Sequence, residues 1–181
     1  MKLICMRHGE SEYNLRGLCN ADPAVPVGLT PKGRQQAEEA ARRWRYAPIR
    51  RIYVSRLQRA HETAAIACGG HCAHICVDAR LDDRRTGFEG LSVETYLQTM
   101  SAAPDPFSWK AEGGESYREM VARVRDFIDE LRGVDEPAAL VVTHHEVLQA
   151  VTGIFRGLDL DAMWHVWVDH GATVEFDLGD L

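Results

Sequence analysis

The sequence has no long apolar run, no excess of positive charge and no repeat, and each absence excludes a class of protein. No uninterrupted apolar stretch approaches about 18 residues, which excludes a membrane-spanning helix. Nothing at the N-terminus resembles a signal peptide, so we expect a cytoplasmic protein. Low-complexity segments are also absent and 45% of the residues are hydrophobic, which excludes a disordered chain. We expect a single domain over residues 1–181.

Positive charge is in deficit, with 21 Lys and Arg against 27 Asp and Glu and a net charge of −6. This balance argues against nucleic acid as a partner, because a polyanion needs a basic surface. A small anion can still bind at a local group of basic side chains, since the local field decides this and not the total charge.

The five cysteines include no Cys-x-x-Cys pair. Three of them lie close together with two histidines, at Cys68, His71, Cys72, His74 and Cys76. Four such side chains would suffice for zinc, but the spacing matches none of the usual patterns. The alternative, which we favour, is a helix end, a Gly-Gly stop and the start of a strand. We therefore expect free thiols and no metal site.

Apolar runs alternate with helix signals along the chain. Short strands are predicted at residues 2–6, 52–54, 74–77 and 138–142, and a last one at 173–176. Three of the strands each lead into a turn and a helix, which is typical of a mainly parallel sheet. We predict an α/β fold, a three-layer α/β/α sandwich with a mainly parallel central sheet.

Capping residues predict where the helices begin. Thr30 precedes Pro31, and capping-box spacing pairs Ser55 with Gln58, Ser116 with Glu119 and Thr143 with Glu146. A further short helix is predicted over residues 91–100. Residues 14–27 are rich in Gly, Pro, Asn and Asp, which is typical of a loop.

Charged and imidazole side chains stand after three of the predicted strands. Arg7 and His8 follow the first, Arg59 lies in the first turn of the next helix, and His144 follows the central strand. The carboxyl ends of parallel strands meet at one sheet edge, where ligands bind. A neutral imidazole can attack phosphorus and carry the phosphoryl group while cations hold its oxygens. The predicted chemistry is phosphoryl transfer by His8, with Arg7, Arg59 and a protonated His144 as the cations.

A set of ordered motifs resembles one family over residues 1 to about 150. The motifs are Arg7-His8-Gly9-Glu10-Ser11, Asn14, Leu29-Thr30 with Gly33, Ser55-x-Leu57-x-Arg59-Ala60 with Thr63-Ala64, Gly113-Gly114-Glu115-Ser116 and Thr143-His144. Together they resemble the histidine phosphatase superfamily, also called the phosphoglycerate mutase-like family. The resemblance implies that family's fold and His8 as the phosphorylated nucleophile. It also implies a phosphate pocket of Arg7, Arg59 and His144, with Asn14 as a further phosphate or substrate contact.

The family also uses a carboxylic acid, in a segment like Leu-x-Glu-x-x-x-Gly, to protonate the leaving group. The corresponding segment here puts Asp83 at the Glu position, with Asp82 and Glu89 as substitutes. Asp83 must be protonated to act, and an ordinary Asp has a pKa of about 3.9. Burial and a neighbouring phosphate would raise that pKa, whereas Arg84 and Arg85 would lower it if their side chains came near.

Two places depart from the family pattern, and three tryptophans leave a choice open. His145 stands where the family usually has Gly, and it either narrows the pocket, adds a donor or points into solvent. The segment 87–90 is one residue shorter than usual. Trp109, Trp164 and Trp167 either line the substrate cleft or serve packing, and packing is the commoner use of buried aromatics.

Phosphatases and mutases of this family differ in the group that accepts the phosphoryl unit. Water gives hydrolysis, whereas a mutase needs a pocket that holds two acidic groups and excludes water. Family mutases are usually longer, and only residues 90–112 are available here as a small cap. We therefore expect a phosphomonoester hydrolase of the small phosphatase branch, which binds a small phosphorylated metabolite or inorganic phosphate without a cofactor. Phosphoglycerate mutase-type transfer and a catalytically impaired phospho-ligand binding protein are the alternatives.

Overall fold

One mixed sheet organises the fold. The computed structural model describes residues 1–69 and 73–181. The strands in these residues are β1 (Lys2–Arg7), β2 (Ile49–Val54), β3 (His74–Val77), β4 (Ala138–Thr143) and β5 (Thr173–Asp177). Their order across the sheet is β3-β2-β4-β1-β5, and β5 alone runs antiparallel to its neighbour. The predicted mainly parallel sheet is confirmed.

Helices cover both faces of this sheet. Within the described residues they are α1 (Glu12–Arg16), α2 (Pro31–Trp44), α3 (Gln58–Ala67), α4 (Val93–Ser101), α5 (Tyr117–Leu131), α6 (His145–Arg156) and α7 (Leu160–Trp164). Side chains of the fully buried β4 alternate between the two layers. Leu140 and Val142 pack with α2 and α3, whereas Ala139 and Val141 pack with α5 and α6. The predicted three-layer α/β/α sandwich is confirmed.

Two of the predicted helix starts are confirmed. Ser116 Oγ accepts a hydrogen bond from the Glu119 amide at 3.1 Å, and Glu119 Oε2 accepts one from the Ser116 amide at 2.9 Å. Thr30 Oγ1 accepts from the Gly33 amide at 3.0 Å, and Pro31 is the first residue of α2. In both places the cap satisfies a backbone N–H that the first helical turn leaves without a partner.

The capping boxes predicted at Ser55 and Thr143 are wrong, because both hydroxyls make tertiary contacts instead. Ser55 Oγ lies 2.7 Å from Nε2 of His144, and α3 begins at Gln58 without a side-chain cap. Thr143 Oγ1 donates to the Leu81 carbonyl at 2.7 Å, and α6 also begins without a side-chain cap. The two hydroxyls therefore hold residues at the sheet edge in place and do not cap the helices.

The predicted loop over residues 14–27 is wrong at its start, where α1 ends at Arg16. Ser11 caps this helix, and Oδ1 of Asn14 accepts from the Ser11 amide at 3.0 Å. No residue of α1 is buried, so the helix leaves no apolar periodicity in the sequence. The equally short α7 was not predicted either.

The segment 90–112 contains α4, which agrees with the helix predicted over residues 91–100. Tyr96 and Met100 of α4 pack with Cys19 in a small apolar cluster apart from the two main ones. That this segment is a cap on a single domain stays a prediction. No helix in the described part of the chain has the length and apolar character to cross a membrane.

Three members of the cysteine and histidine group around Cys76 lie in the described residues, namely Cys68, His74 and Cys76. His71 and Cys72 lie outside the described residues. Among residues 1–69 and 73–181, no group of three or more His, Cys, Asp or Glu is arranged to hold a metal ion. His74 is the first residue of β3, as the strand-start alternative predicts.

Candidate active site

The four side chains that the sequence singled out meet at the carboxyl edge of the sheet. Arg7 ends β1, and its register partner in β4 is Thr143. The His8 amide donates to the Thr143 carbonyl at 2.9 Å, and the rings of His8 and His144 lie 4.9 Å apart between centroids. Arg59 reaches this point from the first turn of α3, and all four side chains are buried.

His8 has a defined tautomer. Its Nδ1 lies 2.7 Å from the Gly9 carbonyl oxygen, which can only accept, so Nδ1 carries the proton. Arg59 Nε donates to His8 Nε2 at 3.0 Å, and Nε2 therefore presents its lone pair. The lone pair that could attack an electrophile faces a guanidinium.

The backbone after His8 is held by close contact with the start of α2. A Cβ on Gly9 would lie 2.2 Å from the Gly33 carbonyl oxygen, and a Cβ on Gly33 would lie 2.0 Å from the Glu10 carbonyl oxygen. The Gly9 amide donates to Thr63 Oγ1 at 3.1 Å. Only glycine allows the two segments this close approach, and the approach fixes the carbonyl that orients His8.

Arg59 connects four other polar side chains of the site, those of His8, Asn20, Asp83 and His144. Its Nη2 donates to Oδ2 of Asp83 at 3.0 Å, to Nδ1 of His144 at 3.2 Å and to the Asn20 carbonyl at 2.9 Å. Its Nη1 donates to the side-chain oxygen of Asn20. This planar fork suits the oxygens of a phosphoryl group.

Both buried imidazoles are neutral in these surroundings. Burial, followed by the nearby charge of Arg59, holds the pKa of His8 and of His144 well below the ordinary value. His144 accepts from Arg59 at Nδ1 and donates from Nε2 to Ser55 Oγ. One accepting and one donating nitrogen are the pattern of a neutral imidazole. The protonated His144 expected from the sequence therefore requires a phosphate dianion beside it, because only a nearby negative charge would raise its pKa.

Arg7 contributes a donor that is not used within the described residues. Its Nη1 donates to the Val168 carbonyl at 2.7 Å, while its buried Nε has no hydrogen-bond partner. Burial lowers the pKa of Arg7 to about 10, so the group is still charged at neutral pH. A buried donor without a partner is costly, and an anion oxygen would satisfy it.

Asp83 is the carboxylate that reaches the histidine pair. Its Oδ2 lies 3.7 Å from Nδ1 of His144, and its side chain is 29% exposed. Burial raises the pKa of Asp83 against the lowering effect of Arg59, and the charge of Glu146 raises it further. Arg84 does not bring its guanidinium here, because that group pairs with Glu146 and only the Arg84 amide donates to Asp83. The net rise suits a proton donor.

The two substitute acids have structural partners instead. Asp82 accepts from the Arg56 amide and from Arg56 Nε, each at 2.7 Å. Glu89 accepts from the Asn20 side chain and from the Ala21 amide, each at 2.7 Å. These carboxylates hold the loops on which Arg56 and Asn20 lie, and Asp83 is the better acid candidate.

Asn14 and His145 both line the cavity above this site. Oδ1 of Asn14 is used in the α1 cap. The His145 ring packs on Trp167 with centroids 4.7 Å apart, and burial followed by the charge of Arg7 lowers its pKa to about 4. Of the three options left open for His145, pointing into solvent does not agree with its place in the cavity wall, and narrowing the pocket and adding a donor both stay predictions.

Sequence reasoning missed Asn20 and His170. Asn20 lies in a loop rich in turn residues, and nothing local marks it as a partner of Arg59. His170 lies just before β5, and its ring is 5.7 Å from that of His8. An antiparallel strand begins at the edge where its parallel neighbours end, so the residues before β5 could have been expected here.

A cavity of about 460 Å³ opens above Arg7, Arg59 and Asp83. Trp164 and Trp167 line it, whereas Trp109 packs beside Tyr96 in the small apolar cluster. Two of the three tryptophans therefore line the cavity, and Trp109 serves packing.

These features define the protein as an α/β protein with a pocket of buried arginines and imidazoles at the carboxyl edge of its sheet. The model of the histidine phosphatase superfamily (branch 1) matches residues 3–180, and the chain belongs to this family. It is 28% identical to adenosylcobalamin/alpha-ribazole phosphatase of Salmonella typhi, over 98% of this chain and 91% of that protein. It is 27% identical to phosphoserine phosphatase 1 of Hydrogenobacter thermophilus, over 95% of this chain and 84% of that one.

The fold is also that of solved structures. The structure of YhfR from Bacillus stearothermophilus superposes with a TM-score of 0.85 at 28% identity, covering 97% of this chain and 90% of that one. With the family match and the two named phosphatases, this supports a phosphoric monoester hydrolase.

Proposed function

We propose that this protein hydrolyses a small phosphorylated metabolite through a phosphohistidine at His8. The observation that carries the proposal is the Nε2 lone pair of His8, buried beside the guanidinium of Arg59 and near that of Arg7. A phosphoryl group attached to this nitrogen would lie beside these guanidinium groups, which could donate to its oxygens. Preorganised donors of this kind stabilise charge that develops in the transition state.

The first half-reaction forms the phosphoenzyme. His8 Nε2 attacks phosphorus, the bond to the ester oxygen breaks, and the electron pair leaves with that oxygen. Protonated Asp83 gives the leaving oxygen its proton and becomes a carboxylate. Arg7 and Arg59 hold the equatorial oxygens, and His144 becomes an additional cation when the dianion raises its pKa.

The second half-reaction is hydrolysis. The Asp83 carboxylate takes a proton from water, and the water oxygen attacks phosphorus as the N–P bond breaks. The electron pair returns to His8 Nε2, phosphate leaves, and Asp83 is protonated again. The pKa of Asp83, raised by burial, suits a group that must be an acid in one step and a base in the next.

Hydrolysis is favoured over mutase chemistry by the named phosphatase relatives.

In the proposed arrangement Asn14 contacts the phosphate or the rest of the substrate, and His145 narrows the pocket. Residues 90–112 form a small cap on a single domain, because α4 carries cavity-lining residues such as Tyr96.

The test is detection of the covalent intermediate. Enzyme is mixed with p-nitrophenyl phosphate, denatured in base because phosphohistidine is labile in acid, and weighed intact by mass spectrometry. Wild type should gain the mass of one phosphoryl group, and His8→Ala should gain nothing and release no p-nitrophenol. His165→Ala, which changes an exposed histidine, should behave as wild type. Turnover by His8→Ala at the wild-type rate would overturn the mechanism, and no turnover by wild type would favour the binding protein.

A further inference from the structure

The cavity above the phosphate pocket is walled mainly by apolar and aromatic side chains. At about 460 Å³ it lies within the roughly 300–1,000 Å³ range of ligand pockets, so it has room for much more than a phosphate group. The wall residues outside the charged floor include Tyr13, Leu18, Val93, Tyr96, Leu97 and Trp164. Such a wall gains most by covering a ring or a comparable apolar body.

Among the described residues, one further guanidinium lines the cavity, and a carboxylate already neutralises its charge. Arg84 is buried and pairs through Nε and Nη2 with the carboxylate of Glu146, the second contact measuring 3.0 Å. The guanidinium also lies 5.1 Å from the ring centroid of Tyr96 and 5.8 Å from that of Trp164. A substrate carboxylate approaching Arg84 would therefore meet Glu146, which lines the cavity as well.

The other polar side chains of the wall add no positive charge. His145 is neutral at pH 7, because burial lowers its pKa to about 4. The Gln149 amide group donates to the carbonyls of Trp164 at 2.7 Å and Val166 at 3.1 Å. Among the described residues that line the cavity, the cations are therefore Arg7 and Arg59, which serve the phosphate, and the paired Arg84.

We infer that the site takes phosphomonoesters whose leaving group is uncharged and carries a ring, and that Glu146 excludes leaving groups that bear a carboxylate. The inference rests on the proposed function and names its substrate class. A carboxylate that entered this cavity would lose its hydration and would find no cation besides those that bind the phosphate or pair with Glu146. Glu146 would also repel it. An uncharged ring would lie against aromatic walls instead.

A matched pair of esters tests the inference. Benzyl phosphate and 4-carboxybenzyl phosphate release similar primary alcohols, so chemical reactivity changes little between them. We expect kcat/KM of wild type to favour benzyl phosphate by tenfold or more. A ratio near one, or a preference for the carboxylated ester, would overturn the inference. Turnover of p-nitrophenyl phosphate that depends on His8 would still support the proposed function.

Glu146→Gln tests the residue itself. This variant leaves the charge of Arg84 uncompensated, so the preference for benzyl phosphate should fall fivefold or more through faster turnover of the carboxylated ester. Glu146 also raises the pKa of Asp83, but that change affects both esters and cancels in the ratio. An unchanged ratio in a folded variant would contradict the role of Glu146. If the variant does not fold, the wild-type ratio still decides the substrate class.

Glu115→Gln is the matched control. Glu115 pairs with Arg123 at 2.7 Å, so its loss also breaks a partly buried ion pair, but neither residue lines the large cavity. The ratio of the two esters should stay at the wild-type value in this variant. A fivefold fall here as well would mean that losing any buried ion pair changes the ratio, and would contradict a specific role for Glu146.

Discussion

Arg59 Nε lies 3.0 Å from Nε2 of His8, and Nη2 of the same guanidinium lies 3.0 Å from Oδ2 of Asp83. One side chain thus contacts both the proposed nucleophile and the proposed acid. The Gly9 carbonyl holds the opposite nitrogen of His8, so the direction of the Nε2 lone pair is fixed from two sides. Arg59 couples the orientation of the imidazole to the charge of the carboxylate.

Arg59→Ala should lower kcat/KM for p-nitrophenyl phosphate by about 100- to 1,000-fold, as loss of an oxyanion donor does in other enzymes. Arg59→Lys should also lose activity, because an ammonium keeps the charge but cannot reach His8, Asp83 and the phosphate as a planar fork. Arg42→Ala, which removes an exposed arginine of α2, is the control and should keep wild-type activity. Wild-type activity in Arg59→Lys would show that charge alone is sufficient.

Asp83→Asn should affect esters according to their leaving groups. Benzyl phosphate needs a proton on its leaving oxygen, so its kcat should fall by about 100-fold or more, as expected for loss of a general acid. Nitrophenolate leaves without much help, so p-nitrophenyl phosphate should lose far less. Asp161→Asn, an exposed position, serves as the control. Equal losses on both esters would point to another acid.

Sequence patterns gave the layers, the strand ends and the four central side chains, because buried strands and the charges that follow them are local features. They did not predict that the hydroxyls of Ser55 and Thr143 make tertiary hydrogen bonds, because a capping signature contains no information on tertiary partners. Asn20 reaches the site from a loop, where no periodicity marks a position. The antiparallel direction of β5 would place His170 at this edge, but no pattern shows that its ring comes near His8. Sequence patterns therefore do not predict how the loops pack against the sheet edge.

The pH dependence should reflect opposite shifts in His8 and Asp83. Burial raises the pKa of Asp83, so activity on benzyl phosphate should fall as pH rises through that raised pKa and the acid loses its proton. The lowered pKa of His8 keeps the nucleophile neutral well into acidic solution, so the acidic limb should lie below the ordinary value for histidine.

Profiles of kcat/KM against pH for wild type and Asp83→Asn check this, with the same ester so that titration of the substrate phosphate cancels. The alkaline limb should be present in wild type and absent from the variant. A shared alkaline limb would assign it to another group.

Gly9→Ala should disrupt both activity and stability. The added Cβ would lie 2.2 Å from the Gly33 carbonyl oxygen, so the backbone that orients His8 must move. We expect loss of more than about 1 kcal/mol of stability, typical of overpacking, and a clear fall in kcat. Gly133→Ala is a matched control, because the nearest atom to its Cβ would be 3.6 Å away. Thermal unfolding and p-nitrophenyl phosphate turnover measure both effects, and wild-type behaviour of Gly9→Ala would contradict the close contact.

His145 and His170 should make the folded protein less stable as pH falls. Burial, followed by the charge of Arg7, lowers the pKa of each to about 4, whereas an unfolded histidine titrates near 6.5. Their contribution is complete above about pH 6.5. As pH falls from there towards 4, the unfolded chain takes up protons that the folded chain does not, so the free energy of unfolding decreases.

His170→Gln isolates one of these groups, because glutamine does not titrate. Between pH 7.5 and pH 5 its free energy of unfolding should decrease by about 1–2 kcal/mol less than that of wild type. Urea unfolding at the two pH values measures the difference, with His165→Gln as the control because the side chain of His165 is 73% exposed. The same decrease in His170→Gln and wild type would mean that His170 takes up its proton in the folded protein. That result would contradict the lowered pKa of His170.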